Sequence, residues 1–451
     1  MKDKKQNKRI NGGHRLLFFC ILCLFGLYVA VSYAEEQPQR EQSKTKVILL
    51  HTDNLTYDQY RHPGAQILTG NVQFQHDGVL MYCDSACFYE ATNSFDAFGH
   101  VKMVQGDTLD LVGDMLLYNG LDQLARVRHN VVLTHRESKL YTDSLDYDRL
   151  YELGYFFEGG KLVDKDNVLT SDWGQYSPPT RQAVFNYNVK LENPKFTLIS
   201  DTLNYNTLTS MAEIVGPSNI DSGDNHIYSE SGFYNTQTEE AILLDRSIVT
   251  NKGRKMVGDS LYYDSKSGVG EGFRNVVYTD EVNKNMLTGN YCYYNDSTGY
   301  SMATDSAVAI DYSQRDTMYM HADTFKVYTF YMDTDSMYRE VRGYHKVRSY
   351  RMDVQSVCDS LVFDSRDTCV TMYRDPIVWN GGQQVLGEVI KVYLNDSTID
   401  RIHVIDQTLS VERIDSVHYN QVAGKEMTSY FRDGEMYETW VNGNVYVDYY
   451  M

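Results

Sequence analysis

The sequence predicts an all-β fold, an elongated stack of two-strand units that repeat about every 29 residues. Three observations support this prediction. An acidic residue followed by a small and an apolar residue recurs at this spacing. Apolar and polar residues alternate with the period of two that is typical of half-buried strands. The 38 Tyr outnumber the 17 Phe and 3 Trp together, and Tyr is favoured in sheets.

The amino-terminal residues are expected to direct export and to lie outside the fold. Lys and Arg residues precede an uncharged apolar run at residues 16–31, and the small residues Ser32 and Ala34 fit a cleavage site. The run is shorter than the roughly 20 residues that cross a bilayer. Residues 1–34 are therefore predicted to be a signal peptide, and residues 35–46 a polar linker.

The first predicted strand of each unit carries the recurring acid. In Asp143-Ser144-Leu145-Asp146-Tyr147, the Leu and the Tyr stand two residues apart and so share one face of a strand. The pattern leaves open whether such pairs fill a closed core or line a trough. The pairs are Leu145 and Tyr147, Leu203 and Tyr205, and Leu261 and Tyr263.

The second predicted strand of each unit follows a turn residue, as in Gly70-Asn71-Val72. Its apolar residues also share one face, so each unit has one apolar side and must stack on its neighbours to close a core. The regular spacing is lost between residues 300 and 357. We therefore predict two arrays, residues 47–330 and 331–451. The inward pairs of the second strand are Val72 and Phe74, Val101 and Met103, and Val131 and Leu133.

The charged residues exclude some function classes and leave others open. The net charge of −19 argues against nucleic acid as a partner, because phosphate backbones are bound by Lys and Arg. The recurring Asp residues lack partners at fixed spacing, so a polar residue that caps a turn is favoured over a calcium ligand or a catalytic acid. We find no nucleophile arrangement, phosphate loop or metal-ligand spacing. The prediction is a protein that is not an enzyme and has no cofactor and no metal.

One dense basic stretch stands out in an otherwise acidic chain. Its side chains could contact phosphate groups, for which Arg and Lys are the natural partners, or form a solvated sheet edge. The possible phosphate contacts are Arg339, Arg342, Lys346, Arg348 and Arg351.

Two folds are compatible with stacked strand units. A parallel β-helix has coils of similar length and would indicate a secreted protein that binds or cleaves polysaccharide. An open β-jelly-roll has two facing antiparallel sheets and an apolar trough between them, which suits acyl chains. Two longer strands per unit, with acids in register, favour the open jelly-roll.

Repeated motifs also resemble a known family. Gly70-Asn71-Val72, Cys83-Asp84-Ser85, Gly99-His100-Val101 and Gly113-Asp114 follow one another in the order typical of the OstA-like family, which includes LptA and the N-terminal domain of LptD. The resemblance covers about residues 47–300 and resumes at Asp359. It implies a long member of this family without the membrane barrel of LptD, as in Bacteroidetes-type envelopes.

The resemblance implies a function and a location. It implies a periplasmic protein, associated with the outer membrane, that shields the acyl chains of lipid A and passes lipopolysaccharide toward that membrane. It also implies partners: lipopolysaccharide, other jelly-roll proteins of the transport system joined end to end by strand pairing, and the outer-membrane translocon. The terminal residues 441–450 are the candidate strand for such pairing.

Overall fold

The computed structural model is all-β, as predicted, with 74% of its residues in strands. It describes residues 45–313, 315–332, 334–352, 354–395, 398–432 and 435–450. The predicted signal peptide and residues 35–44 of the predicted linker lie outside the described residues. All strand pairings in this part of the chain are antiparallel and belong to one continuous sheet. A parallel β-helix is therefore wrong for this chain.

The described residues form 32 strands and one short 3-10 helix, Glu90–Thr92. The first strands are β1 Ile48–His51, β2 Asn54–Tyr57, β3 Gln66–His76, β4 Val79–Tyr89, β5 Ser94–Gln105, β6 Leu109–Asn119, β7 Leu124–His135, β8 Ser138–Asp148, β9 Leu153–Phe156, β10 Gly160–Asp164, β11 Asn167–Ser171 and β12 Trp173–Ser177. The middle strands are β13 Gln182–Asn193, β14 Phe196–Asn206, β15 Met211–Ser222, β16 Asn225–Asn235, β17 Glu240–Asn251, β18 Arg254–Asp264, β19 Val269–Asp280, β20 Asn285–Asn295, β21 Tyr300–Asp311, β22 Met318–Phe330, β23 Tyr338–Tyr350 and β24 Val354–Asp364. The last strands are β25 Cys369–Tyr373, β26 Ile377–Asn380, β27 Gln383–Leu386, β28 Val389–Asn395, β29 Thr398–Arg413, β30 Tyr419–Arg432, β31 Glu435–Asn442 and β32 Tyr446–Asp448.

Most strands are long and bend in the middle. In β6, Leu109, Leu111 and Gly113 face inward before the bend, and Leu116 and Tyr118 face inward after it. The alternation thus skips one residue at the bend, so both halves of the strand keep their apolar side chains inside. The neighbouring strand β5 carries one extra residue at the same level, which is a β-bulge.

The bend is held by a recurring side-chain hydrogen bond. Asn188 has a φ of 53°, in the left-handed region that Asn tolerates better than most residues, and its Nδ2 donates to Asp172 Oδ2 at 2.6 Å. Corresponding bonds recur along the stack. They join Asn71 to Asp53, His100 to Asp84, Asn130 to Asp114, and Asn275 to Asp259.

The bend divides the single sheet into two facing halves. We call arm A the half that contains residues 94–98 and 115–119, and arm B the half that contains residues 101–105 and 109–113. Their inner faces pack together, since the ring of Phe74 in arm B stacks on that of Phe95 in arm A at 4.1 Å between centroids. Hairpin turns close the far end of each arm, and we call the gap between the two rows of turns the mouth.

The predicted repeat of two strands per unit is confirmed, but the motifs that reveal it lie at a different place in the strands. The recurring Asp and the Gly-Asn pair do not lie at strand ends; they lie at mid-strand, on either side of the bend. The pairing also continues from β22 to β23, across residue 330, where the first predicted array ends. The buried core divides elsewhere, between Leu261 and Val276. The two-array organisation stays a prediction.

The hydrogen bond at the bend should contribute measurably to stability. We expect Asn188→Ala to lower the free energy of unfolding by about 1–2 kcal/mol, because the bond to Asp172 is lost and Ala is strained at this φ. Asn188→Gly removes the bond without the strain and should cost less. Urea unfolding of the three proteins measures the difference, and equal stability of the Ala variant and the wild type would contradict this account of the bend.

Candidate functional site between the two arms

The interior between the arms is the candidate binding site, and its first part is closed. From residue 45 to residue 239, which we call the closed segment, the inward side chains fill the space between the arms. Ten of the twelve predicted trough residues lie here, each at most 2% exposed. They are Val72, Phe74, Val101, Met103, Val131, Leu133, Leu145, Tyr147, Leu203 and Tyr205.

Hydrogen bonds across the mouth hold the closed segment shut. Tyr118 reaches from arm A to His76 in arm B, with 2.6 Å between the phenol oxygen and Nδ1. The guanidinium of Arg149, beyond the end of β8, donates to the Tyr118 oxygen and to the His76 carbonyl. His76 Nε2 lies 2.9 Å from Thr45 Oγ1. With Nδ1 beside a guanidinium donor, this geometry fits a neutral imidazole protonated at Nε2.

A second group of bonds across the mouth centres on Tyr205. Its hydroxyl donates to Asp164 Oδ2 at 2.8 Å and accepts from Asn167 Nδ2 at 2.9 Å. The Asp164 carboxylate is almost fully buried and also accepts from the Ser138 hydroxyl. Burial, and then the Asp164 charge, raise the pKa of Tyr205. The phenol therefore stays protonated and able to donate.

Further bonds of this kind run along the same segment. Tyrosine recurs at every repeat on the arm A side of the mouth, at residues 118, 147, 176, 205, 234 and 263. Tyr147 differs from Tyr205 because its buried hydroxyl has no hydrogen-bond partner among the described residues. The other pairs across the mouth are Gln105 with Glu152, His135 with Tyr176, Lys165 with Ser210, Asn167 with Thr236, and Lys195 with Glu239.

The interior widens from residue 254 to residue 364, which we call the open segment. Side chains next to the bend, such as Ala303 and Phe325, remain buried. Inward side chains nearer the mouth pack against this core but stay partly exposed. The cross-section is therefore a V with a dry base and accessible apolar walls. The partly exposed inward residues include Met256, Leu287, Ala309, Met320, Val341, Val354 and Phe363.

Smaller inward residues explain why this segment does not close. In the closed segment, many inward positions beside the bend carry Val, Leu, Ile or Phe, as in Val101 and Leu116, and others, such as Ala97 and Gly113, are small. In the open segment Gly and Ala are more frequent at these positions, so less side-chain volume fills the gap between the arms. The Gly and Ala residues are visible in the sequence, but the pattern of alternation alone did not predict an open interior. The small inward residues are Gly258, Gly270, Gly272, Gly289, Ala303, Ala307, Ala322 and Gly343.

The two remaining predicted trough residues lie where the closed interior gives way to the open one. Leu261 is buried beside the bend, and Tyr263 is half-buried, with its ring stacked 6.5 Å from that of Tyr294. Tyr263 and Tyr294 therefore mark the start of the accessible wall of arm A.

The structure separates the five predicted basic residues. Arg339 is the second residue of β23, in register with Thr329 on the inward side of arm A at the mouth. Its guanidinium makes no hydrogen bond or ion pair with the described residues. Arg342 faces outward, paired with Glu340 and stacked over Tyr328. The other three, Lys346 at the bend, Arg348 on the outer face of arm B and Arg351 beyond β23, do not join Arg339 in one site.

This geometry offers an apolar surface between the arms. Among the described residues, no cluster of His, Cys, Asp and Glu could hold a metal ion. The same residues contain no helix that could span a membrane. Burial raises the pKa of the Cys83 thiol to about 12, so this cysteine is a poor nucleophile. What the interior can do is bury an apolar ligand.

The bonds across the mouth predict different outcomes at two equivalent tyrosines. Tyr205→Phe should lower the free energy of unfolding by about 1–3 kcal/mol, because Asp164 and Asn167 then lose a buried partner. Tyr147→Phe removes a hydroxyl without a partner and should leave stability unchanged or slightly raised. Urea unfolding compares the two variants. Equal losses would show that the Tyr205 hydroxyl does not hold the mouth.

Mild acid should weaken the closed segment. Burial lowers the pKa of His76 and of His135 in the folded protein, and Arg149 lowers that of His76 further against an opposing effect of Asp77. The neutral histidines therefore contribute fully to the free energy of unfolding above pH 6.5, and this contribution is lost as the pH falls below that value. The loss is at most about 1.4 kcal/mol per pH unit for each histidine.

A double variant separates these histidines from the other titrating groups. His76→Gln with His135→Gln should reduce the difference in urea midpoint between pH 7.5 and pH 5.5 relative to the wild type. An unchanged difference would exclude the two histidines as its cause.

The comparisons with known proteins agree with the fold. The family model for the OstA-like protein matches residues 44–201 and 196–259. None of the curated proteins compared with the chain matches it. The OstA-like family is a transport and binding family linked to lipopolysaccharide, and it is not a family of enzymes. The matched residues comprise the closed segment, β17 and the first part of β18. Residues 44–259 therefore match the OstA-like protein family, as the repeated motifs predicted.

Proposed function

We propose that the protein binds lipopolysaccharide in the periplasm and carries it toward the outer membrane, with the acyl chains held between the two arms. The open segment is the observation that carries this proposal. Its walls are apolar on both arms, its base is dry, and its mouth gives access along several strands. The family match supports the same class of ligand.

The energetics favour acyl chains as the ligand. Each methylene removed from water contributes about 0.8 kcal/mol, and the half-exposed walls contribute further because they are covered too. A linear tail fits a trough that continues from strand to strand better than it fits an enclosed pocket. In the closed segment a tail must first separate the arms and break the bonds across the mouth. The open segment is therefore the place of first binding.

The mouth of the open segment also suits a charged headgroup. Arg339 lies there on the inward side with its guanidinium unpaired among the described residues. A phosphate group at the mouth would find this cation while the attached tails extend toward the bend. Of the five basic residues predicted from the sequence, Arg339 is therefore our candidate phosphate contact.

The sheet edges suit other jelly-roll proteins and the translocon as partners. In the described residues β31 and β32 pair on one side only, with β30, and most of their side chains are exposed. At the other end β1 and β2 pair only with β3. Unpaired edges accept a strand from another chain. Pairing at these edges would continue the trough from one protein to the next.

A photo-crosslinker on neighbouring residues of one strand tests the ligand and its place. Leu287 faces the interior of the open segment, and Met286 faces outward on the same strand β20. We expect adducts with lipopolysaccharide from benzoylphenylalanine at position 287 and few from position 286. Immunoblotting for lipopolysaccharide after irradiation of intact cells measures them.

Two further results complete this test. Depletion of the protein should leave newly made lipopolysaccharide short of the cell surface. A crosslinker at Tyr205 should react less than one at Leu287, because the closed segment is filled. Equal labelling from positions 286 and 287, or none from either, would contradict the proposal.

A further inference from the structure

A row of aromatic rings covers the outer face of arm A in the open segment. Phe273 and Tyr291 lie 5.3 Å apart between ring centroids on adjacent strands. Tyr300 lies 5.9 Å from Tyr293 and 5.3 Å from Tyr328. All five face away from the interior, as the register of β19 to β22 shows. We call these five residues the aromatic strip.

The strip is held in place by its surroundings. The guanidinium of Arg342 lies over the ring of Tyr328 at 4.9 Å from the centroid. The Tyr291 hydroxyl donates to Glu271 at 3.0 Å. Four of the five rings are half-buried against one another, and Phe273 is 40% exposed. Rings that are already ordered lose little conformational entropy when a ligand stacks on them.

The strip coincides with the open segment, and β7 and β8 of the closed segment carry no such row of rings on the outer face of arm A. There, the outer face of arm A on β7 and β8 carries charged side chains, and Arg126 and Arg128 pair with Asp146. The strip thus lies on strands whose inner face forms the accessible wall. Tyr300 is the first residue of β21, so the strip begins at the mouth.

We propose that the aromatic strip binds the saccharide part of the ligand whose acyl chains lie between the arms. The inference rests on the proposed function, because the tails would bring the saccharide to this face. A pyranose ring has an apolar face for stacking and hydroxyls at its edge, and tyrosine offers an aromatic face and a hydroxyl in return. Once the tails are bound, the tether raises the local saccharide concentration and so adds to an affinity that the stacking contacts already provide.

The chemistry of this face favours a saccharide over a membrane. Glu271 and Glu340 lie on the same outer face as the strip, and their charges disfavour the anionic surface of a bilayer. The strip is also a single row of rings, without the broad apolar core of a stable protein interface. A row of tyrosines that crosses successive strands suits a linear chain of sugars.

The test uses the lipid-free oligosaccharide that mild acid releases from lipopolysaccharide, titrated against the full chain by calorimetry. The double variant Tyr300→Ala, Tyr328→Ala should bind it about tenfold more weakly than the wild type, because two stacking contacts are lost. Tyr300→Phe with Tyr328→Phe keeps the rings and should lose less. Tyr141→Ala removes a similarly exposed outward ring from arm B of the closed segment and should have no effect.

The outcomes distinguish this inference from the proposed function. Equal affinity of the Ala variant and the wild type, with both folded by their urea midpoints, overturns the role of the strip. Absence of oligosaccharide binding by the wild type overturns it as well, and is the result expected if the strip covers a protein partner. In either case, lipopolysaccharide adducts from position 287 would leave the proposed function standing.

Discussion

The bend in the middle of each strand is the constraint on which the architecture depends. A flat antiparallel sheet of this length would expose one apolar face along its whole extent. The extra residue at the bulge changes the alternation, so the inner face stays inside on both sides of the bend. Residues in the left-handed region of φ, such as Asn130 and Asn188, make the turn. A hydrogen bond to an Asp that precedes them in the chain holds each of them in place. One sheet thereby becomes two facing arms, and the space between them is the only interior that the described strands share.

Given the bend, side-chain volume decides whether the arms meet. Large inward residues beside the bend bring the arms into contact, and the tyrosines at the mouth then reach the opposite arm, as Tyr118 reaches His76. Where Gly272 and Ala303 take those positions, the interior stays open. Buried polar groups at the mouth add specificity to the closed state, because each needs its partner on the other arm. The two segments are thus variants of one architecture.

The sequence predicted the repeat, the inward residues and the family, because each depends on neighbours in the chain or on a recurring motif. It did not predict the bend, since the Gly-Asn motif was interpreted as a turn before a strand, whereas it lies at a bulge in mid-strand. It also left open whether the inward residues fill a core or line a trough, and ten of the twelve are buried in the closed segment. A Leu and Tyr pair such as Leu203 and Tyr205 indicates an inward face but not its accessibility. Accessibility depends on partners far away in sequence, such as Asp164 for Tyr205, and these become neighbours only when the arms fold together.

For a ligand that moves along the interior as proposed, the open and the closed segment differ in the free energy of binding an acyl chain. In the open segment an acyl chain covers walls that are already in contact with water, so binding gains apolar burial without breaking protein contacts. In the closed segment the same chain must replace packed side chains such as Phe74 and Phe95 and leave Asp164 without its partner. Movement from the open to the closed segment is therefore uphill unless the mouth opens first. Protonation of His76 and His135 or strand pairing at the edge formed by β1 and β2 would act on that step, because both change the closed segment and leave the open one as it is.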